Sequence, residues 1–448
     1  MKKLFGTDGI RGIANREPIT AETAFQIGRA GAYLFKDNPD PKILIGKDTR
    51  ISGGMLESAL MAGICSMGVN VLRVGVMPTP AVAYLNKIYN ADCGIVISAS
   101  HNPFDNNGIK YITKDGFKFS DSREEEIEKI YFENYTKNKR PTGKNIGVIT
   151  DLIDANEKYI DYIKKIIPSS FNLNNYKIVV DCANGALYKI APLIFKDLGA
   201  KVISINDKPD GININLNCGA THTDSLKKEV LKHDADLGLA FDGDADRVIA
   251  VDEKGEKVDG DQIMAICALN LIKKDKLLNK TIVTTIMSNM GFDRTIKEAG
   301  GKVIRTDIGD RYVFEKMKDV NAILGGEQSG HIIFLQHGTT GDGLITSLQL
   351  LQVISEEGKA LSNLASLMKR YPQILLNFKI KNKSKFFKNA SIGKIIKVVE
   401  KELDGDGRIF IRPSGTEPLI RILLEDKDQK KLNIISKDLK EVIMKEDI

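Results

Sequence analysis

Lys177-Ile178-Val179-Val180 begins a stretch that passes through a polar turn and an amphipathic segment to Gly199, then resumes as an apolar run at Ala200-Lys201-Val202. Strand, helix, strand is the crossover unit of α/β folds, and the same order occurs twice more. The first copy starts at Lys42-Ile43-Leu44-Ile45 and turns at Gly68 before Val69-Asn70-Val71. The third starts at Lys280-Thr281-Ile282-Val283 and turns at Gly301, which follows Gly300, before Lys302-Val303-Ile304. Glycine at a helix end relieves a left-handed backbone, and the β-branched run after it predicts a buried parallel strand. The repetition in order and length predicts three related α/β domains in place of three crossovers within one large sheet.

In each copy a third apolar run ends in a loop dense with polar groups. Gly94-Ile95-Val96-Ile97 leads into Ser98 to Pro103, Leu237-Gly238-Leu239-Ala240-Phe241 into Asp242 to Arg247, and Ala322-Ile323-Leu324 into Gly325 to His331. Ligands of open α/β sheets bind at loops leaving the carboxyl ends of strands, so three domains would each offer one loop to a shared cleft. From about Tyr371-Pro372 the pattern changes to two strand-like runs, Arg408 to Ile411 and Leu419 to Leu424, around a polar turn, followed by a helix. That tail predicts a smaller α+β domain. The expected divisions are 1–152, 153–253, 254–368 and 369–448.

A chain of 448 residues with 42% hydrophobic and 28% charged residues suits a multidomain globular protein. Lys and Arg total 65 against 59 acidic residues, a balance of +6 that gives no case for nucleic acid as a partner. The five cysteines are scattered and show no paired metal spacing, which predicts reduced, packed thiols in a cytoplasm. No signal peptide is expected, because Gly6, Thr7, Asp8, Gly9 and Arg11 occupy the place of the apolar run it requires. No window approaches the continuous apolar length of a membrane span.

Asp242-Gly243-Asp244-Ala245-Asp246-Arg247 sets three carboxylates at alternate positions, able to converge on one hard cation with oxygen ligands. A calcium EF-hand loop is the rival, with acids at its first, third and fifth positions and Glu253 at its twelfth. Arg247 stands where that loop needs glycine, and both flanks have strand periodicity. A solvated acidic turn neutralised by Arg247 is the other reading. Three carboxylates leave an octahedral magnesium with places for water and a phosphate oxygen.

Ser100, between Ala99 and His101 and ahead of Asn102-Pro103, is a hydroxyl held at a strand end; by itself it could equally cap a turn, as could Ser98. His101 and Lys110 stand nearby as proton-transfer or phosphate-binding groups. Gly326-Glu327-Gln328-Ser329-Gly330-His331 sets a carboxylate, an amide, a hydroxyl and an imidazole on a glycine frame, which suits sugar hydroxyls or an ordinary polar turn. Arg412-Pro413-Ser414-Gly415-Thr416-Glu417-Pro418, with Arg421 behind it, offers amides, hydroxyls and two guanidiniums for a phosphate dianion, or a plain hairpin loop. No Walker loop occurs in the chain, which disfavours nucleotide-driven transfer.

Together these stretches resemble the α-D-phosphohexomutase family, from Phe5-Gly6-Thr7-Asp8-Gly9-Ile10-Arg11-Gly12 to Arg421. The resemblance implies four domains around a central cleft: three α/β/α domains with mixed sheets and one α+β domain. It implies that Ser100 is the phosphorylated serine, and that Asp242, Asp244 and Asp246 bind Mg2+ together with that phosphoserine. Arg11, His101, Lys110, Arg247 and His331 would line the reaction centre. Glu327 and Ser329 would contact sugar hydroxyls, and Arg412, Ser414, Gly415, Thr416 and Arg421 would hold the distal phosphate. A hexose 1,6-bisphosphate would be intermediate and activator, the substrate a phosphosugar and the assembly a homodimer. Gln328 is similar to the glucosamine subgroup, which implies interconversion of glucosamine 6-phosphate and glucosamine 1-phosphate, upstream of UDP-N-acetylglucosamine and cell-wall precursors. A phosphomannomutase or phosphoglucomutase with the same chemistry is the alternative, and a non-catalytic calcium-binding protein a more distant one. Two positions depart from the subgroup: Asn106, where many of its members carry Asp, and Ala245, where many carry Gly.

Overall fold

Each of the three predicted repeats folds as four strands in one shared order in a computed structural model of the chain, which describes residues 4–6, 8–136, 140–380, 382–403, 405, 407–413 and 419–446. The first sheet contains β1 (Ile10–Ile13), β2 (Lys42–Lys47), β3 (Asn70–Val76), β4 (Cys93–Ile97), β5 (Asn106–Thr113) and β6 (Ile149–Asp151), ordered β1-β5-β4-β2-β3-β6. The second contains β7 (Lys177–Asp181), β8 (Lys201–Ile205), β9 (Leu237–Phe241), β10 (Val248–Asp252) and β11 (Lys257–Val258), ordered β11-β10-β9-β7-β8. The third contains β12 (Thr281–Thr285), β13 (Lys302–Thr306), β14 (Leu324–Gly326) and β15 (Ile332–Phe334), ordered β13-β12-β14-β15.

In every copy the first strand lies parallel to the next two, and the third turns back into an antiparallel fourth. The sheets are mixed for that reason. The three polar loops are the connections between the third and fourth strands: β4 to β5, β9 to β10 and β14 to β15. Every residue of β4, β9 and β12 is buried, as expected of strands covered on both faces. Fully burying a Val, Ile or Leu side chain contributes about 1.5–3 kcal/mol, so these runs anchor the loops that leave them. The helix-ending glycines are left-handed at Gly68 (φ +80°), Gly199 (φ +94°) and, in the third copy, Gly300 (φ +78°) instead of Gly301. There the turn falls one residue earlier than the spacing predicted.

By contacts the chain divides into two compact units, Met1–Met287 with Ala299–Leu367, and Ser288–Glu298 with Met368–Ile448. The second unit holds an antiparallel sheet of β16 (Gln373–Lys379), β17 (Gly407–Pro413) and β18 (Leu419–Asp426), with β18 central. Helices Ala390–Leu403 and Gln429–Lys445 cover it, and Ile420, Ile422, Leu424, Leu432, Ile435 and Leu439 are core residues. The helix Met290–Glu298, which the repeat pattern assigned to the third crossover, is tied into this unit: Met290 N donates to Glu425 Oε1 at 2.7 Å, and Arg408 Nη2 to Ser288 O at 2.6 Å. Among the described residues no helix is long and apolar enough to cross a membrane. All five cysteines are buried and free.

Candidate active site

Ser100 is buried at 1% exposure just beyond the end of β4. Its Oγ donates to Asp242 Oδ2 at 2.7 Å and lies 3.2 Å from His101 Nδ1. Burial first, then Arg247 and Arg11, lower the His101 pKa to about 4, so the ring beside Ser100 is neutral at pH 7.

Asp242, Asp244 and Asp246 sit on the β9–β10 loop, and oxygens of all three lie within 4.8 Å of one another. The loop joins antiparallel strands directly, with Phe241 paired to Val248. A calcium EF-hand has helices on both flanks, so that alternative is excluded. Burial, then Asp246 and Asp244, push the Asp242 carboxyl well above its usual range. Burial would also raise Asp246, but His331, Lys110 and Arg247 outweigh it and hold that carboxyl low. Asp244 Oδ1 and Asp246 Oδ1 are buried and accept no hydrogen bond from any described residue. Buried carboxylate oxygens without donors are costly, and a hard divalent cation with oxygen ligands meets that need. The donor set therefore fits Mg2+. Within the loop Ala245 adopts φ +59°, a conformation that glycine holds without strain.

Lys110, on β5, places Nζ 3.0 Å from Asp244 Oδ2 and 3.1 Å from Asp8 Oδ2. Burial would lower its pKa, but Asp244 and Asp8 outweigh it and raise it, so the group is held as an ammonium. It is placed to offer charge, and the expectation that it also takes up a proton is not favoured by this pairing. From Asp8 the ion pairs continue: Asp8 Oδ1 meets Lys118 Nζ at 2.6 Å, and Lys118 pairs with Asp310. Asp310 Oδ2 lies 3.5 Å from His331 Nε2, and His331 Nδ1 lies 3.5 Å from Asp246 Oδ2. The circuit thus starts at Asp244 and returns to the same loop at Asp246. His331 Nε2 also lies 3.0 Å from Gly341 N; burial would lower the His331 pKa, but Asp246 and Asp310 outweigh it and raise it. Arg11 pairs with Asp8, and Arg247 Nε lies 3.7 Å from Asp246 Oδ1 while its amide donates to Asp242 Oδ1 at 3.2 Å.

The third loop meets the second through Val248 N, which donates to Gly330 O at 3.1 Å. Glu327 is half-buried and accepts from the exposed Ser329 Oγ at 3.3 Å. Gln328 Nε2 donates to Asp261 Oδ2 at 3.1 Å, so this amide is engaged by the start of helix Gly260–Lys273. In the second unit Arg412 and Arg421 are directly opposed across β17 and β18 and both are exposed. Opposed residues of an antiparallel pair share a face, so both guanidiniums lie on one side of that sheet. Ser414, Gly415 and Thr416 lie outside the described residues.

Ser100, Lys110, His101, Arg11, Arg247, the three aspartates and His331 are therefore brought into one linked cluster. Asp8, Lys118, Asp310 and Thr79, whose Oγ1 donates to Asp244 Oδ2 at 2.7 Å, are members that sequence reasoning did not select. Asp8 had a signal, since it stands three residues before Arg11. Lys118 and Asp310 had none: Lys118 lies in an isolated bridge to Ile112 and Asp310 opens the helix Asp310–Asp319, and nothing in the neighbouring residues marks either.

Models of the phosphoglucomutase/phosphomannomutase family match the chain in four parts: α/β/α domain I at residues 2–138, domain II at 157–255, domain III at 259–371 and the C-terminal domain at 375–442. The chain belongs to this family and is a phosphohexomutase, an isomerase that moves a phosphoryl group within a sugar. A relative named phosphoglucosamine mutase, from Desulforamulus reducens, is 53% identical over 99% of this chain and 99% of its own length. Among solved structures, a phosphoglucomutase/phosphomannomutase family protein from Burkholderia thailandensis superposes with a TM-score of 0.82 at 24% identity, covering 98% of this chain and 96% of that one. N-acetylphosphoglucosamine mutase from Aspergillus fumigatus, solved with GlcNAc-6P and magnesium, gives a TM-score of 0.66 at 16% identity over 98% and 95% of the two chains.

Proposed function

We propose that the chain interconverts glucosamine 6-phosphate and glucosamine 1-phosphate, with Ser100 carrying the phosphoryl group through glucosamine 1,6-bisphosphate. The observation that carries the chemistry is Ser100 Oγ, 2.7 Å from a carboxylate of a buried triad that has two oxygens without donors among the described residues. The sugar is supported by the full-length relative at 53% identity that bears the name phosphoglucosamine mutase. Asp242, Asp244, Asp246 and Ser100 would hold Mg2+. When bound, that ion supplies positive charge to the oxygens of the transferring phosphoryl group.

In the first half-reaction the P–O bond to Ser100 Oγ breaks as a bond from phosphorus to the free sugar hydroxyl forms. The proton lost by the sugar hydroxyl balances the one regained by Ser100. The second half reverses this at the other phosphate after the bisphosphate has turned around. His101 Nδ1, neutral and 3.2 Å from Oγ, passes the proton to and from Ser100. Lys110 and Arg247 stabilise the transferring oxygens, and Arg11 and His331 complete the lining of the reaction centre. Glu327 and Ser329 accept and donate to sugar hydroxyls. Arg412, Ser414, Gly415, Thr416 and Arg421 hold the phosphate that is not reacting, since guanidinium grips phosphate in either sugar pose. The segments 1–152, 153–253, 254–368 and 369–448 are the units of this reading, which places the enzyme in the cytoplasm as a homodimer without nucleic-acid or membrane partners.

Ser100→Ala tests the covalent scheme. With Mg2+ and glucose 1,6-bisphosphate priming, mutase turnover should vanish, and intact mass should lose the phosphate carried by the wild-type chain. Normal turnover of this variant would overturn the scheme. Turnover on glucosamine, glucose and mannose 6-phosphates separates the proposed substrate from the sugars that share the chemistry.

A further inference from the structure

Ser100 is held in a left-handed backbone conformation, φ +52°, which is strained for a residue with a Cβ. Neighbours must offset that strain. Its amide donates to Ser98 Oγ at 2.9 Å, and Ser98 Oγ donates to Asp48 Oδ2 at 2.6 Å. Its carbonyl accepts from Arg50 Nη2 at 2.8 Å and from Asn215 Nδ2 at 2.9 Å.

The Arg50 guanidinium has five N–H donors. Nε donates to Asp48 Oδ2 at 2.8 Å, Nη1 to Asn106 O at 3.0 Å and to Pro103 O, and Nη2 to Asn102 O at 2.8 Å as well as to Ser100 O. Every donor is used. Four of the acceptors are main-chain carbonyls of the loop that carries Ser100, and the side chain is 0% exposed. Burying a permanent cation with one carboxylate partner and four neutral carbonyls is expensive, and a turn of this size is ordinarily closed by a single Ser or Asn. Among the described residues, none of Arg50's side-chain hydrogen bonds goes to the aspartate triad or to the 327–331 loop. Asn215, from the segment between β8 and β9, grips the same two carbonyls, at 2.9 Å for Ser100 and 3.1 Å for Asn102.

Gly243, between two of the aspartates, links this clamp to the metal loop. A Cβ there would lie 2.7 Å from Ser100 O and 2.9 Å from Asn215 Nδ2. The clamped carbonyl therefore rests directly on the loop that presents Asp242. With amide and carbonyl both consumed, rotation of the side chain is the one freedom left to Ser100.

We infer that Arg50 is a positioning residue: its guanidinium, with Asn215 as second grip, fixes the Ser100 backbone so that Oγ returns to one place opposite Asp242 after every transfer. This rests on the reading of Ser100 as phosphoryl carrier. Displacements of about 1 Å cost on the order of 10²-fold in rate when geometry supplies the catalysis.

The test is steady-state and single-turnover kinetics of the full chain with Mg2+ and glucose 1,6-bisphosphate, comparing Arg50→Lys and Asn215→Ala with Ser100→Ala. Lysine keeps the charge but has three donors and no fork. Arg50→Lys should lower kcat and the rate of phosphoryl loss from Ser100 by about 10²-fold. The KM for glucosamine 6-phosphate and the Mg2+ Kd of the unphosphorylated protein should stay within about threefold, the pattern of an interaction used only in the transfer. Asn215→Ala should lower kcat by about tenfold, with the double variant less than additive. A lowered melting temperature with unchanged kcat per folded molecule in both variants would overturn the inference. If Arg50→Lys does not fold, Asn215→Ala decides, an unchanged kcat overturning the clamp. Turnover by Ser100→Ala would instead remove the reading beneath it, whereas an inactive Ser100→Ala beside fully active clamp variants would remove the clamp alone.

Discussion

The loop after β4 and the loop after β9 leave equivalent strands of related sheets, yet they satisfy their polar atoms in opposite ways. Around Ser100 the protein supplies every partner: Arg50, Ser98 and Asn215 consume its amide and carbonyl. In the aspartate loop two buried carboxylate oxygens have no donor among the described residues, and burial with like charge raises the Asp242 pKa. The serine loop is finished by the chain, whereas the aspartate loop leaves a set of oxygens that a cation would complete. Rigidity belongs to the group that must return to one place, and the incomplete set belongs where a ligand completes it.

The sharpest way to break this contrast is Asp242→Asn. It should lower kcat by about 10³-fold, a loss of roughly 4 kcal/mol of transition-state stabilisation. In EDTA, however, it should leave stability to urea unchanged or raised, because the charge it removes is one that burial, Asp246 and Asp244 oppose. Magnesium at about a hundred times its Kd should stabilise the wild type by about 2.7 kcal/mol and this variant far less. A large loss of stability in EDTA would mean that the aspartate loop is complete without an ion.

Asp342 sharpens the comparison from the side of a carboxylate that does have donors. Its oxygens accept from Leu344 N, Ile345 N and Tyr159 Oη at 2.9, 2.9 and 2.7 Å, yet burial still pushes its pKa to about 6. Between the ordinary carboxylate value and 6 the folded chain keeps a proton that the unfolded chain has released. Stability from this group is thus greatest in acid and falls as pH rises through 6. Asp342→Asn removes that dependence. Urea unfolding should show the variant gaining about 1–2 kcal/mol on the wild type between pH 5 and pH 7.5; a gain in the reverse direction would contradict the assignment.

The smallest effect is expected at Ala245. Changing it to glycine relieves the left-handed strain at φ +59° but removes a buried methyl, and the two terms are each about 1 kcal/mol. Thermal unfolding should move by less than about 1 kcal/mol, with Mg2+ affinity preserved. A large change in affinity would show that the methyl shapes the aspartate loop.

Much of this was legible before any coordinates. Val179 and Val180, Ile43 and Ile45, Ile282 and Val283 announce buried strands because their branched side chains fit a sheet covered on both faces. Gly199 and Gly68 mark helix ends for an equally local reason, and Asp242, Asp244 and Asp246 mark a candidate cation loop by their alternation. The turn at Gly300 was misplaced by one residue because two adjacent glycines give the spacing no preference.

By itself, then, the sequence determined the repeated strand order, the ends of strands at which polar loops emerge, and the kinds of groups those loops carry. All of these are written in neighbouring residues. Only the tertiary structure decided that Lys118 meets Asp310, that Lys110 is locked between Asp8 and Asp244, and that Arg50 spends its whole guanidinium on the serine loop. Such pairings join residues tens to hundreds of positions apart. Sheet register and domain packing choose them, and a charge in a turn looks the same whether it ends in solvent or in a buried pair.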